Sequence, residues 1–225
     1  MNLYYPAIAR ITISLLATLS LAGSSPRIPA GYTPQPGDIV FQSFPPNPLT
    51  IAIEGCTHSP LSHCGIVTTK PRAKGKGTEW VVLEAVGPVK ETALGDWIRR
   101  GRDHHLAVFR LQGELAGKIP HILGAATRYS GRPYDSRFRW DDQTIYCSEL
   151  VHKAVRDATG TELGKMEKLG SLNWKPHEAT IRALENGEPP LDRRMITPVA
   201  LTRDPRLKLT FLSGYRLDGN SICSP

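Results

Sequence analysis

Ile145-Tyr146-Cys147-Ser148-Glu149-Leu150-Val151-His152-Lys153-Ala154-Val155 is the stretch on which the fold turns. Its apolar residues Leu150, Val151, Ala154 and Val155, with Ala158 beyond, recur at i, i+1, i+4, i+5 and i+8. That spacing makes one face of a helix of about three turns, ending at Gly160. Cys147 stands at its N-terminal edge, just after the polar run Asp141-Asp142-Gln143-Thr144. A helix N-terminus presents unpaired N–H groups and a partial positive charge. A thiol placed there ionises more readily, and the thiolate is the nucleophile. Read alone, Cys147 also fits a small apolar side chain that helps the helix pack.

Upstream of the helix, Leu115, Ile119, Ile122, Leu123 and Ala126 give helical spacing across 114–129. Leu106 to Leu111 reads as a strand and Thr92 to Arg100 as a short helix. Further back, Cys64-Gly65-Ile66-Val67-Thr68-Thr69 and Trp80 to Val86 are two strand-like runs. They are joined by the basic loop Lys70 to Gly77, which suggests a hairpin. Before them come a short helix over Leu49 to Glu54, a proline-rich loop from Ser43 to Pro48, and a first strand Ile39-Val40-Phe41 opened by Gly37-Asp38. Downstream, 161–192 carries Pro176, Pro189 and Pro190 and reads as irregular, while Leu207 to Leu217 can complete the sheet. Strands and helices do not alternate regularly, so the expectation is an α+β fold with an antiparallel sheet and helices packed on it.

The ends differ from this body. Residues 24–36 are rich in Pro, Ser and Gly and read as an extended lead-in, and 218–225 as a tail. Ala7 to Gly23 is nearly free of charge, interrupted by Arg10, and ends in Ser20-Leu21-Ala22, which fits a small-x-small cleavage site. Residues 1–23 therefore read as a secretory signal peptide, with a retained N-terminal membrane anchor as the alternative. The apolar run is short beside the roughly 20 residues of a spanning helix. No cysteine follows the small residues, so a lipoprotein route is not indicated. Export to the periplasm or cell envelope is the expectation.

At 225 residues the chain is long enough for one domain with a real core, here placed at 37–217. A hydrophobic content of 40% with 22% charged residues is ordinary for a globular protein and rules out a disordered chain. The net charge of +7 brings polyanionic partners into view. The basic residues are scattered, however, and no nucleic-acid-binding signature accompanies the cluster at Lys70 to Lys76, so nucleic acid is not an expected partner. Export would permit disulfides. If Cys147 stays reduced, Cys56 and Cys64 are the nearest pair among Cys56, Cys64 and Cys223, without the sequence establishing a bridge.

A cysteine nucleophile needs a base within hydrogen-bond reach and gains from a third group that orients the base. His63 stands immediately before a strand, and Glu84 is a lone carboxylate inside the apolar run Val81 to Val86. Carboxylates are rarely buried without a partner. If the two strands pair, His63 and Glu84 can share one face of the sheet, and a helix packed on that face would bring Cys147 to His63. His104 and His105, at a strand start, compete as the base, whereas His152 is rotated away from Cys147 on the helix. Cys56, His58, His63 and Cys64 match no familiar zinc spacing.

With those residues in view the chain resembles the YiiX/YaeF-like permuted papain-fold cysteine hydrolases, relatives of the NlpC-like enzymes. The resemblance rests on Gly37-Asp38-Ile39-Val40-Phe41-Gln42, on Thr57-His58-Ser59 through Ser62-His63-Cys64-Gly65-Ile66-Val67, and on Leu83-Glu84-Ala85. It continues through Gly131-Arg132-Pro133-Tyr134-Asp135, Phe138-Arg139-Trp140, the Cys147 stretch and Ile196-Thr197-Pro198, so it covers about 37 to 200. It implies a papain-like sheet and helix in circularly permuted order, with histidine preceding cysteine. It also implies Cys147 as nucleophile, His63 as general base and acid, Glu84 as the orienting group, and Tyr134 as a contributor to the oxyanion site. Tyr134 reads equally well as a packing residue, since tyrosine hydroxyls commonly make structural bonds. The chain departs from the pattern at Cys64, at His152, and over 169–190, which matches nothing in it.

The expected activity is hydrolysis of an amide, or an ester, through a thioester acyl-enzyme, without metal or organic cofactor. Partners would be small peptide or amide-containing substrates, cell-wall peptide amides foremost, with membrane association through the N-terminus. Two other readings remain: a lipid-directed acyl hydrolase or acyltransferase on the same fold, which a long apolar groove beside Cys147 would favour, and a non-catalytic envelope binding protein.

Overall fold

The sheet grows outward from β1 (Ile39–Gln42), whose four residues are all buried. The computed structural model describes residues 28–72 and 75–225, so the leader expected at 1–23 lies outside the described residues. In chain order come α1 (Pro48–Thr57), β2 (His63–Pro71), β3 (Thr78–Ala85), β4 (Val89–Ala93), α2 (Leu94–Arg100), β5 (Leu106–Leu111) and α3 (Ile119–Thr127). They are followed by α4 (Cys147–Thr159), β6 (Glu167–Lys168), α5 (Glu178–Glu185), β7 (Arg194–Met195), α6 (Pro198–Thr202) and β8 (Leu207–Ser213). One six-stranded sheet runs β4-β3-β2-β1-β5-β8, with every neighbouring pair antiparallel. The fold is α+β, as the irregular order of strand-like and helical runs implies.

Strand alternation sends successive side chains to opposite faces, and both faces are covered. Ile39, Phe41, Cys64, Ile66 and Leu83 pack with Leu150, Val151, Ala154 and Val155 of α4. Val40, Val67 and Val82 pack with Leu94, Trp97 and Ile98 of α2. Helix α4 runs over the residues its periodicity predicts. It stops at Gly160, whose φ of 72° is a left-handed cap that glycine adopts without strain.

Several elements differ from the expectation. Thr92 and Ala93 belong to β4, not to a helix, because Val82 pairs with Thr92 across the sheet and the helix begins only at Leu94. The helical spacing of 114–129 splits into a 3₁₀ turn (Gly113–Lys118) and α3. Pro120 lacks an N–H to donate and so suits the first turn of a helix, not its interior. Residues 161–192 contain α5 and half of the small β6–β7 pair. Residues 218–225 include β10 (Ser221–Cys223), which pairs with β9 (Arg216–Asp218). In the lead-in, Tyr32 is buried and donates its hydroxyl to buried Asp38 at 3.0 Å. Among the described residues, no helix is long and apolar enough to cross a membrane.

Candidate active site

His63 opens β2, and Ile66 pairs with Leu83 on β3, so Gly65 falls opposite Glu84. His63 and Glu84 are then diagonal neighbours on one face, within reach of each other's side chains. His63 Nε2 lies 2.6 Å from Glu84 Oε2. Facing a carboxylate, Nε2 carries the proton, which leaves Nδ1 for another partner. The ring is held flat between aromatic neighbours, stacked on Phe44 at 4.4 Å and tilted against Trp97 at 5.9 Å.

Glu84 is wholly buried and triply held. Besides His63, Arg100 Nη2 donates to Oε2 at 2.5 Å and Thr92 Oγ1 donates to Oε1 at 2.6 Å. Burial by itself would raise the carboxyl, but the bonds and charges of His63 and Arg100 outweigh it and hold the pKa at about 2. Burial likewise works against a charged imidazole, yet Cys147 and then Glu84 outweigh it and bring His63 to about 9.

Cys147 reaches this pair from the other side of the sheet. The expectation that its helix would pack on the face shared by His63 and Glu84 is not met. That face belongs to α2, which supplies Trp97 and Arg100, while α4 covers the opposite face. The thiol and the imidazole come together at the N-terminal end of β2, where His63 is the first residue. The three side chains are 3%, 2% and 0% exposed for Cys147, His63 and Glu84. The Cys147 thiol sits well below its ordinary range. The neighbouring Cys64 side chain contributes most, burial opposes it, and His63 beside it adds to it. Burial pushes the Cys64 thiol well up, so Cys64 stays protonated beside Cys147.

The start of α4 is anchored on both sides of Cys147. Ile196 N donates to Tyr146 Oη at 3.0 Å, and Ser148 Oγ donates to Ile196 O at 2.8 Å. The Ile196-Thr197-Pro198 stretch thus clamps the segment that carries the thiol. Tyr134 bridges to Ile145 and shares a depression with His63, Phe44, Asn47, Thr50 and Ser62. Burial, with Cys147 and Cys64 nearby, pushes its phenol well up and keeps the hydroxyl a donor. On the Cys147 side a second depression is walled by α1, α5 and the chain from Leu169 to Pro198.

The competing histidines lie elsewhere. His152 gives Nδ1 to Leu163 O at 2.7 Å, and burial keeps its ring neutral. His105 packs edge-on against Tyr215, and His104 is exposed. Cys56 and Cys64 are not bridged; all four cysteines are free. Among the described residues, no three His, Cys, Asp or Glu side chains are grouped as metal ligands. Thr92, Arg100, Phe44 and the influence of Cys64 on Cys147 escape a reading of the sequence alone. Arg100 looks there like any basic residue in the last turn of a helix, and Thr92 reads as part of that same helix.

Comparison with known proteins agrees with the fold. The family profile described as permuted papain-like amidase enzyme, YaeF/YiiX, C92 family, matches residues 33–211. The uncharacterised protein YiiX of Escherichia coli K12 is 34% identical over 195 residues, covering 85% of this chain and 92% of that one. A crystal structure from Escherichia coli O157:H7, described as metalloprotein yiiX, superposes with a TM-score of 0.73 at 34% identity, covering 81% of this chain and 99% of that one.

Proposed function

Because the chain belongs to the permuted papain-like amidase family of YaeF and YiiX, we propose that it is a cysteine amidase working through a thioester acyl-enzyme. The observation that carries this reading is the buried Glu84–His63 bond at 2.6 Å, with the Cys147 thiol beside it at the start of α4. The thiolate attacks the carbonyl carbon while His63 gives its Nδ1 proton to the leaving amine. His63 then takes a proton from water, which attacks the thioester and releases the acid. Glu84 keeps Nε2–H engaged, fixing the ring's tautomer and orientation as the imidazolium forms and decays. The Cys147 backbone N–H at the helix start and the Tyr134 hydroxyl are the donors for the developing oxyanion. Losing one such donor typically costs about two to three powers of ten in rate.

The Escherichia coli O157:H7 relative is described as a metalloprotein, which raises a metal for the matching site of this chain. The residues here do not suit one. His63 Nε2 is committed to Glu84, and among the described residues no three His, Cys, Asp or Glu side chains are grouped to hold a metal ion. The steps above accordingly run through the side chains alone. The expected leader at 1–23 supports work in the periplasm or cell envelope, with membrane association if the leader is retained.

The test is the pH dependence of Cys147 alkylation by iodoacetamide in the full chain with Cys56 and Cys223 replaced by serine, followed by peptide mass. A Cys147 pKa well below the free value of about 8.5 that rises in His63→Ala supports the pair. A normal or raised pKa, indifferent to His63, overturns the catalytic reading.

A further inference from the structure

Phe44 is half-buried and, among the described residues, packs with neither of the two sheet-face cores, yet its backbone is held at both ends. Its N–H donates to Ser62 Oγ at 2.9 Å, and its carbonyl accepts from Arg102 Nε at 3.2 Å and Nη2 at 2.9 Å. Arg102 Nη2 also donates to both carboxylate oxygens of Glu54 on α1, at 2.8 and 2.9 Å, and Arg102 N donates to Ser43 O at 2.8 Å. Charge-assisted bonds to a carboxylate fix a planar guanidinium firmly. Two left-handed residues follow directly, Asp103 at φ 51° and His104 at φ 58°. Residues with a Cβ adopt that conformation at a cost, and such costs collect where the backbone must place a functional group. The group placed here is Arg102, and through it Phe44.

Phe44 lies against the face of His63, with ring centroids 4.4 Å apart and planes 23° apart. The Glu84 bond to Nε2 fixes one edge of the imidazole, but a single bond to an edge leaves the ring free to rock about it. A stacked ring removes that freedom, and its π-face favours a cation laid against it. Arg100, which holds Glu84, brings its guanidinium carbon to 5.2 Å from the same Phe44 ring. Both supports of the imidazole, the carboxylate at its edge and the phenyl ring on its face, are thus tied to one short segment, Arg100 to Arg102. Resting on the amidase reading above, we propose that Phe44 is a positioning residue for His63, itself held by Arg102. Its ring keeps the imidazole in the plane that serves Cys147 and stabilises the imidazolium that pairs with the thiolate.

The titratable and charged groups around His63 are Glu84 from β3, Arg100 from α2, Cys147 from α4, Cys64 next to it on β2, and Tyr134 in the depression they share. Phe44→Leu leaves every one of them in the chain and removes only the π-face. Iodoacetamide labelling of Cys147 across pH, in the full chain with Cys56 and Cys223 replaced by serine, reads the effect without a substrate. In Phe44→Leu the acid limb should move up and the basic limb down by about one pH unit each, narrowing the range in which thiolate and imidazolium coexist. Phe44→Tyr, which keeps the π-face, should restore both limbs. Arg102→Lys, which gives up the fork between Phe44 O and Glu54, should move them in the same direction by less. It carries the test if circular dichroism shows Phe44→Leu unfolded. A Cys147 profile that depends on His63 but is unmoved by Phe44→Leu, or is displaced equally by Phe44→Tyr, overturns the positioning role and leaves the amidase reading standing. Limbs moved by Phe44→Leu but not by Arg102→Lys overturn the part assigned to Arg102. An ordinary thiol in the unaltered chain, indifferent to His63→Ala, overturns the amidase reading and the positioning role together.

Discussion

Gly65 lies opposite Glu84 across the β2–β3 pair, and the side chain it lacks is what gives the carboxylate its place. A Cβ at Gly65 would come within 2.4 Å of Val82 Cγ1, 2.9 Å of Leu83 O and 3.3 Å of Glu84 Cβ. The nearest of these belong to the paired strand itself, so the contact cannot relax by turning one flexible side chain. Gly65→Ala is expected to destabilise the fold by about 1–3 kcal/mol, the range for overpacking. It should also lower kcat by displacing Glu84 from His63. Urea unfolding together with steady-state kinetics checks both, and unchanged values would show that the strands part at little cost.

Glu84→Gln keeps the shape of the side chain and removes its charge. By the logic of catalytic triads, kcat should fall by about two to four powers of ten. Stability carries a second signature. The Glu84 carboxyl is held at about 2 against an ordinary 4.5, so its contribution is present above pH 4.5 and fades as pH falls toward 2. His63 is raised from 6.5 to about 9, so its contribution is complete below 6.5 and is lost as pH rises through 9. The advantage of the unaltered chain over Glu84→Gln should be greatest between pH 4.5 and 6.5. Denaturation midpoints measured from acid to alkaline pH would reveal it, and a constant difference would contradict it.

Cys64→Ala removes the largest influence that lowers the Cys147 thiol. The acid limb of Cys147 alkylation should move to higher pH, with slower labelling under acidic conditions. The basic limb of the pH–rate profile reports His63 and should stay near 9. An acid limb unmoved by the substitution would assign the thiolate to His63 alone.

Tyr146→Phe strands the N–H of Ile196, which has Tyr146 Oη as its acceptor. A buried donor left unpaired costs about 1–3 kcal/mol. Since Tyr146 directly precedes the nucleophile, kcat should drop more than KM rises. Unfolding and kinetics measured side by side test this, and lost stability with intact kcat would make the clamp purely structural.

The helix around Cys147 is legible in the sequence because its signals are local: apolar spacing at 3.6 residues, a polar run before it and Gly160 after it. The β2–β3 hairpin is legible for the same reason, and its pairing brings His63 to Glu84 as expected. The β4 strand is not, because Thr92 and Ala93 follow a pairing with Val82 and Val81 that no window around them contains. Which face each helix covers is hidden on the same ground. An alternating strand buried on both sides offers α2 and α4 equally apolar surfaces, and the chain in between decides which helix takes which face.

The sequence by itself determined the residue types that chemistry requires and the short elements that carry them: a thiol at a helix start, an imidazole at a strand start, and a carboxylate in the neighbouring strand. Spacing along the chain sets those placements, since backbone geometry repeats within a few residues. Tertiary structure alone decided that Arg100 and Thr92 hold the carboxylate, that Cys64 lies beside the nucleophile, and that 169–198 helps wall the depression next to it. Those contacts join residues distant in sequence through packing of both sheet faces, and no local periodicity encodes them.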